Sequence, residues 1–174
     1  RFKGNDKNQH HLNALMWYVL TSSSSRKAEE FRDKVKIINT TTSSIPALST
    51  FPNVEKVTIR IGLESVIENL NLLGSTPSLK SLSLQIQHTP FNLSGKKPGQ
   101  LKSLKGLDAP NLISLTASTG LLDVSGIERC TKLEELILSS NQELESLTPV
   151  SKIAPSLVTV ELSNSPAIAG LEPL

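Results

Sequence analysis

Few residues in this chain are of a type that does covalent or metal chemistry, and their spacing restricts what they can do. His10 and His11 are adjacent, so they cannot share one helix face as an i, i+4 metal pair would. His88 has no nearby His or Cys companion. Cys130 is the single cysteine, which leaves it without an internal disulfide partner and without a recognisable base to make it a nucleophile. It reads as a small apolar core residue. Glu134, Glu135, Glu143 and Glu145 read as a solvated acidic face. The sequence contains no G-x-x-x-x-G-K-[ST], no G-x-S-x-G and no H-E-x-x-H. The expectation is therefore no catalytic residues, no metal and no cofactor, which leaves binding as the chemistry to look for. One candidate is a basic stretch: Lys96, Lys97, Lys102 and Lys105 follow one another with no acid among them, beside His88 and a Pro98-Gly99 turn.

The composition narrows the partners. The chain has 174 residues, enough for one domain with a sizeable core. It carries 28 leucines but only 3% aromatic residues, an interior suited to many small equivalent layers rather than a few large rings. Net charge is +2, too small to argue for nucleic acid, and the lysine stretch lacks the interleaved aromatics that bind bases. The charge is nonetheless lopsided: residues 1–107 have 15 Lys and Arg against 7 Asp and Glu, residues 108–174 have 3 against 9. The lone cysteine favours a reducing compartment, so a cytoplasmic location is expected. The sequons at Asn39 and Asn92 would accept glycan only in a secreted chain. The longest mostly apolar run, Leu12 to Leu20, is too short to span a bilayer, so no membrane association is expected.

The elements that would position any binding residues come from an internal repeat. Thr131 to Asn141 reads TKLEELILSSN, with Leu133, Leu136, Leu138 and Asn141 in an L-x-x-L-x-L-x-x-N frame. The same frame recurs with Val54, Val57 and Ile59; with Leu79, Leu82 and Leu84; with Leu112, Leu115 and Ala117; and with Leu157, Val160 and Leu162. Four of these repeats open with a proline (Pro52, Pro77, Pro110, Pro155), suited to the bend before a strand where no ladder donor is needed. In these residues, over about 35–174, the chain resembles a leucine-rich repeat protein. Only Asn141 holds the usual Asn position; Gly120 and Ser165 stand there in the adjoining repeats.

The resemblance implies an α/β solenoid with a parallel sheet on the concave side, mixed helix and loop segments on the convex side, and partners bound across the concave face. Strands are expected at 56–60, 81–85, 114–117, 135–139 and 159–163. Leu63, Val66, Ile67, Leu70 and Leu73 have helical spacing, with Gly74 placed to end that helix. Val35 to Ile38 reads as a weaker first strand, followed by a polar turn from Asn39 to Ser44. Residues 87–107 read as an insertion within the 33-residue repeat, with Leu101, Leu104 and Leu107 returning to the core.

Residues 1–34 do not fit the repeat and form a separate helical region, a cap for the solenoid end or a link to another domain. One helix is expected over 11–20, bearing Trp17 and Tyr18, and a second over 26–34 with Ser25 as N-cap and Ala28, Phe31 and Val35 inward.

Side chains alternate along a strand, so the residues between the inward ones face solvent in three columns. The first reads Lys56, Ser81, Ser114, Glu135, Thr159; the middle Thr58, Ser83, Thr116, Ile137, Glu161; the third Arg60, Gln85, Ser118, Ser139, Ser163. Of these, Lys56, Thr58, Arg60, Ser83, Gln85, Thr116, Ser118, Glu135, Ile137 and Glu161 form the candidate partner site, with Lys96 and Lys97 of the inserted loop as the alternative. The functional expectation is a non-catalytic protein–protein interaction module whose partner is another protein or another domain of its parent chain. The alternative is a regulatory or sensor segment of a larger protein whose catalytic or nucleic-acid-binding domain lies elsewhere. The last layer, at Leu157, Val160 and Leu162, has no successor within these residues, so it is expected to be covered either by further repeats of the parent protein or by another copy, through self-association at that end.

Overall fold

Lys-Val-Thr-Ile-Arg-Ile alternates outward polar residues with β-branched ones, the period-two pattern of a half-buried strand. It forms strand β3 (Lys56–Ile61). The computed structural model describes residues 10–11, 26–43, 45, 47–86 and 99–166, and within these the fold is α/β and dominated by parallel strands. Strands β1 (His10–His11), β2 (Ile37–Thr42), β3, β5 (Ser81–Ile86), β7 (Ser114–Ser118), β8 (Glu135–Ser139) and β9 (Thr159–Ser163) lie side by side in chain order as one sheet. Every pairing in it is parallel. A second, two-stranded parallel sheet joins β4 (Val66–Ile67) to β6 (Gln100–Leu101). The one α-helix among the described residues, α1 (Arg26–Lys34), packs Phe31 against the core. Among the described residues no helix is long and apolar enough to cross a membrane.

Register explains the core. Ile38, Val57, Leu82, Leu115 and Leu136 are Cα partners from strand to strand and are all buried. Strands β2, β3, β5, β7 and β8 are each followed by a return segment whose buried residues recur every three positions: Ile45, Leu48 and Phe51; Ile67, Leu70 and Leu73; Leu101, Leu104 and Leu107; Leu121, Val124 and Ile127; Leu144, Leu147 and Val150. A period of three suits tight turns and short 3₁₀ pieces, not the 3.6 of an α-helix. Short 3₁₀ turns occur at Asn71–Leu73, Ile127–Arg129, Thr148–Lys152 and Ala154–Ser156.

That period corrects the helix expected over 63–73. Val66 and Ile67 form β4, Val66 is exposed to solvent, and only a 3₁₀ turn follows at Asn71–Leu73. Glu64 has φ of 60°, and the Asn69 carboxamide accepts the Asn71 N–H at 3.0 Å, so local turn geometry replaces helical bonding. Gly74 does end the turn, at φ 74°.

The first strand also differs from expectation. It runs through Thr42, and Asn39 to Thr42, expected as turn, pair residue by residue with Thr58 to Ile61. β-Branched threonines fit a strand once a neighbour supplies the ladder. From Gln100 onward the expected insertion belongs to the regular layer, because Gln100 and Leu101 pair with Val66 and Ile67. Residues 87–98 lie outside the described residues, as does the helix expected over 11–20 apart from His11, which is in β1. Val160, in an inward row, is only half-buried: among the described residues β9 is the last strand and has a neighbour on one side only.

Beyond the C-terminal ends of β7 and β8, buried polar groups tie layers together. Asn141 is wholly buried; its Oδ1 accepts the Leu121 N–H at 2.9 Å and its Nδ2 donates to the Ala117 carbonyl at 3.1 Å. Where Gly120 lacks a side chain, Gln100 Nε2 donates to its carbonyl at 3.0 Å. Thr119 is the exception, with a buried hydroxyl that has no hydrogen-bond partner. Replacing it by the isosteric Thr119→Val removes a dehydrated polar group and is expected to stabilise the fold by about 1 kcal/mol. Urea unfolding checks this; a loss of stability would show that the hydroxyl is satisfied.

Candidate functional site

The outward rows of β3, β5, β7, β8 and β9 are brought into register as the sequence requires. Lys56, Ser81, Ser114, Glu135 and Thr159 are successive Cα partners. So are Thr58, Ser83, Thr116, Ile137 and Glu161. Arg60, Gln85 and Ser118 form the third column, and Ser139 pairs with Ser163. β2 adds Ile37, Asn39 and Thr41 to the same columns, a contribution hidden in the sequence by the run of polar residues after Ile38.

Neighbouring strands lie ~4.8 Å apart, so Lys56 and Arg60 stand roughly 15–20 Å from Glu135 and Glu161. That exceeds the Debye length of ~8 Å at physiological salt, so the basic and acidic ends act on a ligand independently. Lys56, Arg60 and Glu161 are exposed, whereas Thr58 is buried between its neighbours. Two internal bonds organise the face: Gln85 Nε2 donates to Ser83 Oγ at 3.0 Å, and Ser114 Oγ donates to the Glu135 carboxylate. Ile137 is the half-buried aliphatic centre of the surface. Lys96 and Lys97 lie outside the described residues, and so do Trp17 and Tyr18.

A second charged feature lies at the beginning of the strands and was not evident in the sequence, because its members are 19 and 25 positions apart. The Glu55 carboxylate accepts bonds from Lys36 Nζ at 2.8 Å and Lys80 Nζ at 3.0 Å. Successive layers thus present opposite charges at one register position. The three line a groove of about 710 Å³ together with Asn53, Asn111, Ile113 and Lys132. The hydrogen bond from Lys36, then that from Lys80, then the two positive charges hold the Glu55 carboxyl down to about 2. The same bond raises the Lys36 ammonium above its ordinary value. Because the Glu55 value is depressed on folding, its contribution to stability is present above the ordinary carboxylate range and lost as pH falls toward 2. A carbon-13 titration is expected to place the Glu55 midpoint near 2, with Lys80→Met moving it upward. An unshifted midpoint in the wild type would contradict the paired geometry.

Cys130 is buried at the end of the return segment after β7, as expected for a core residue. Burial, then the nearby Glu128 and Asp108 charges, push its thiol up to about 12, so it stays protonated at neutral pH. Among the described residues, no three His, Cys, Asp or Glu side chains gather into a metal-binding group. No family model matches the sequence, and no curated protein or solved structure matches it.

Proposed function

We propose that residues 35–174 are a leucine-rich-repeat solenoid serving as a non-catalytic protein–protein interaction module. Its partner, another protein or another domain of the parent chain, crosses the outward face of the sheet on the columns around Ser83, Gln85, Thr116, Ser118 and Ile137. The observation that carries the reading is the register of five consecutive parallel strands. Their inward residues are buried from β3 through β8, while their outward residues form one continuous polar surface, basic toward β3 and acidic toward β9. The recurrence of the L-x-x-L-x-L frame and the three-residue period of the five described return segments support the repeat assignment.

An acidic part of the partner meets Lys56 and Arg60, and a basic part meets Glu135 and Glu161. Charges so placed set orientation and association rate more than affinity. Arg60→Glu is therefore expected to slow association about tenfold at low salt and to flatten its salt dependence, with dissociation changed less. Arg60 is exposed, so the fold is retained. Surface-capture kinetics with the partner isolated on the wild-type protein measures this. An unchanged association rate and salt slope would remove the face from the binding account.

A further inference from the structure

The charges of the outward face stand toward its two ends, and the ground between them is neutral. Lys56 and Arg60 on β3 are exposed, as is Glu161 on β9, with half-buried Glu135 beside it on β8. Between them lie Ser81, Ser83 and Gln85 on β5 and Ser114, Thr116 and Ser118 on β7, all half-buried. Among the described residues the hydroxyls of Thr116 and Ser118 bond to no other group of the chain. The Gln85 carboxamide donates to Ser83, and its own oxygen is unengaged. Hydroxyls and carboxamides both donate and accept, so the middle of the face offers hydrogen bonds in either sense. These rows hold no aromatic side chain, and Ile137 is itself half-buried, so the kind of anchor that holds a folded partner is missing.

We infer that the occupant of this face is an extended segment of a partner protein, lying across the strands and carrying an acidic and a basic residue about six positions apart. The inference rests on the face assignment proposed above. From β3 to β9 there are four strand steps of ~4.8 Å, about 19 Å in all, and an extended chain advances ~3.3 Å per residue. An Asp or Glu held by Lys56 and Arg60 therefore sets a Lys or Arg at Glu161 about six residues along. An extended segment brings main-chain N–H and C=O groups with no partners of their own, and the side chains of β5 and β7 suit both. A folded partner has already paired most of those groups. A further layer of the repeat is not the occupant, because layers add along the sheet and leave Glu161 facing outward whether or not a strand follows β9.

The test titrates the whole chain with serine–alanine peptides that carry one Asp and one Lys, roughly two, six or eleven positions apart and in both chain orders. In at least one order the middle spacing is expected to bind about fivefold more tightly than the other two. Lys56→Glu/Arg60→Glu should remove that preference, and a peptide with Lys in place of its Asp should restore it on the double variant. Glu161→Lys should remove it from the other end, with restoration by Glu in place of the peptide's Lys. All three residues are exposed, so the fold is retained. Thr116→Arg should abolish binding at every spacing. Affinity that ignores spacing, or that responds to the charges of one end only, would overturn the inference. So would peptide binding that appears only in Lys96→Glu/Lys97→Glu, which would assign the face to the chain's own loop. A captured partner that Thr116→Arg excludes, with no spacing preference among the peptides, would leave the face assignment standing and sink this inference alone.

Discussion

Leu136→Ala is expected to lower stability by about 2–5 kcal/mol, the cost of deleting a buried leucine where neighbouring layers cannot close over the void. Leu136 is fully buried in β8, between its register partners Leu115 and Val160. β8 is hydrogen-bonded to β7 on one side and β9 on the other, so collapse into the cavity would break ladders on both sides. Ile137, one residue along and on the outward row, should cost less than half as much when cut to Ala. Urea denaturation of both variants measures the difference. Equal losses would mean that inward and outward rows are not distinguished as described.

Asn141→Ala is the second large effect. It leaves the buried Leu121 N–H without its acceptor and the Ala117 carbonyl without one donor, while opening a small cavity. Each buried group left unpaired costs about 1–3 kcal/mol, so the expected loss is about 2–5 kcal/mol. Asn141→Asp keeps the acceptor for Leu121 but loses the donor and buries a charge, and should not rescue the fold. A loss below about 1 kcal/mol in Asn141→Ala would show that water replaces both bonds.

These two residues also mark what could be read in the sequence. The strands were legible from the period-two alternation of the frame, preceded by a proline in four of the five repeats, and all five lie where the pattern puts them to within one residue. Their parallel order follows from the recurrence of the frame, each return being long enough to carry the chain back to the start of the next strand. The return segments were misread at 63–73 because Leu63, Ile67, Leu70 and Leu73 satisfy a helical spacing while three of them obey the period of three that governs every layer. A single segment cannot separate periods of 3 and 3.6 over eleven residues; five aligned segments can. β2 was cut short because Thr40, Thr41 and Thr42 are polar, and only the ladder to β3 shows that they are strand. The candidate face was legible as columns, since alternation alone sorts outward from inward residues. The Lys36–Glu55–Lys80 array was not, because contacts across layers depend on register, which no local pattern encodes.

The measurement that bears most directly on the proposed function compares two variants against a partner captured by the wild-type chain. Thr116→Arg places a long cation in the middle of the sheet face, where its register neighbours are Ser83 and Ile137. The double variant Lys96→Glu/Lys97→Glu reverses the charge of the alternative loop site. Both are first matched to the wild type in unfolding midpoint. Binding across the face predicts that Thr116→Arg weakens the complex at least about a hundredfold by steric intrusion, while the lysine double variant binds as the wild type does. Full binding by Thr116→Arg together with its abolition in the lysine variant would contradict the account and place the site on the loop.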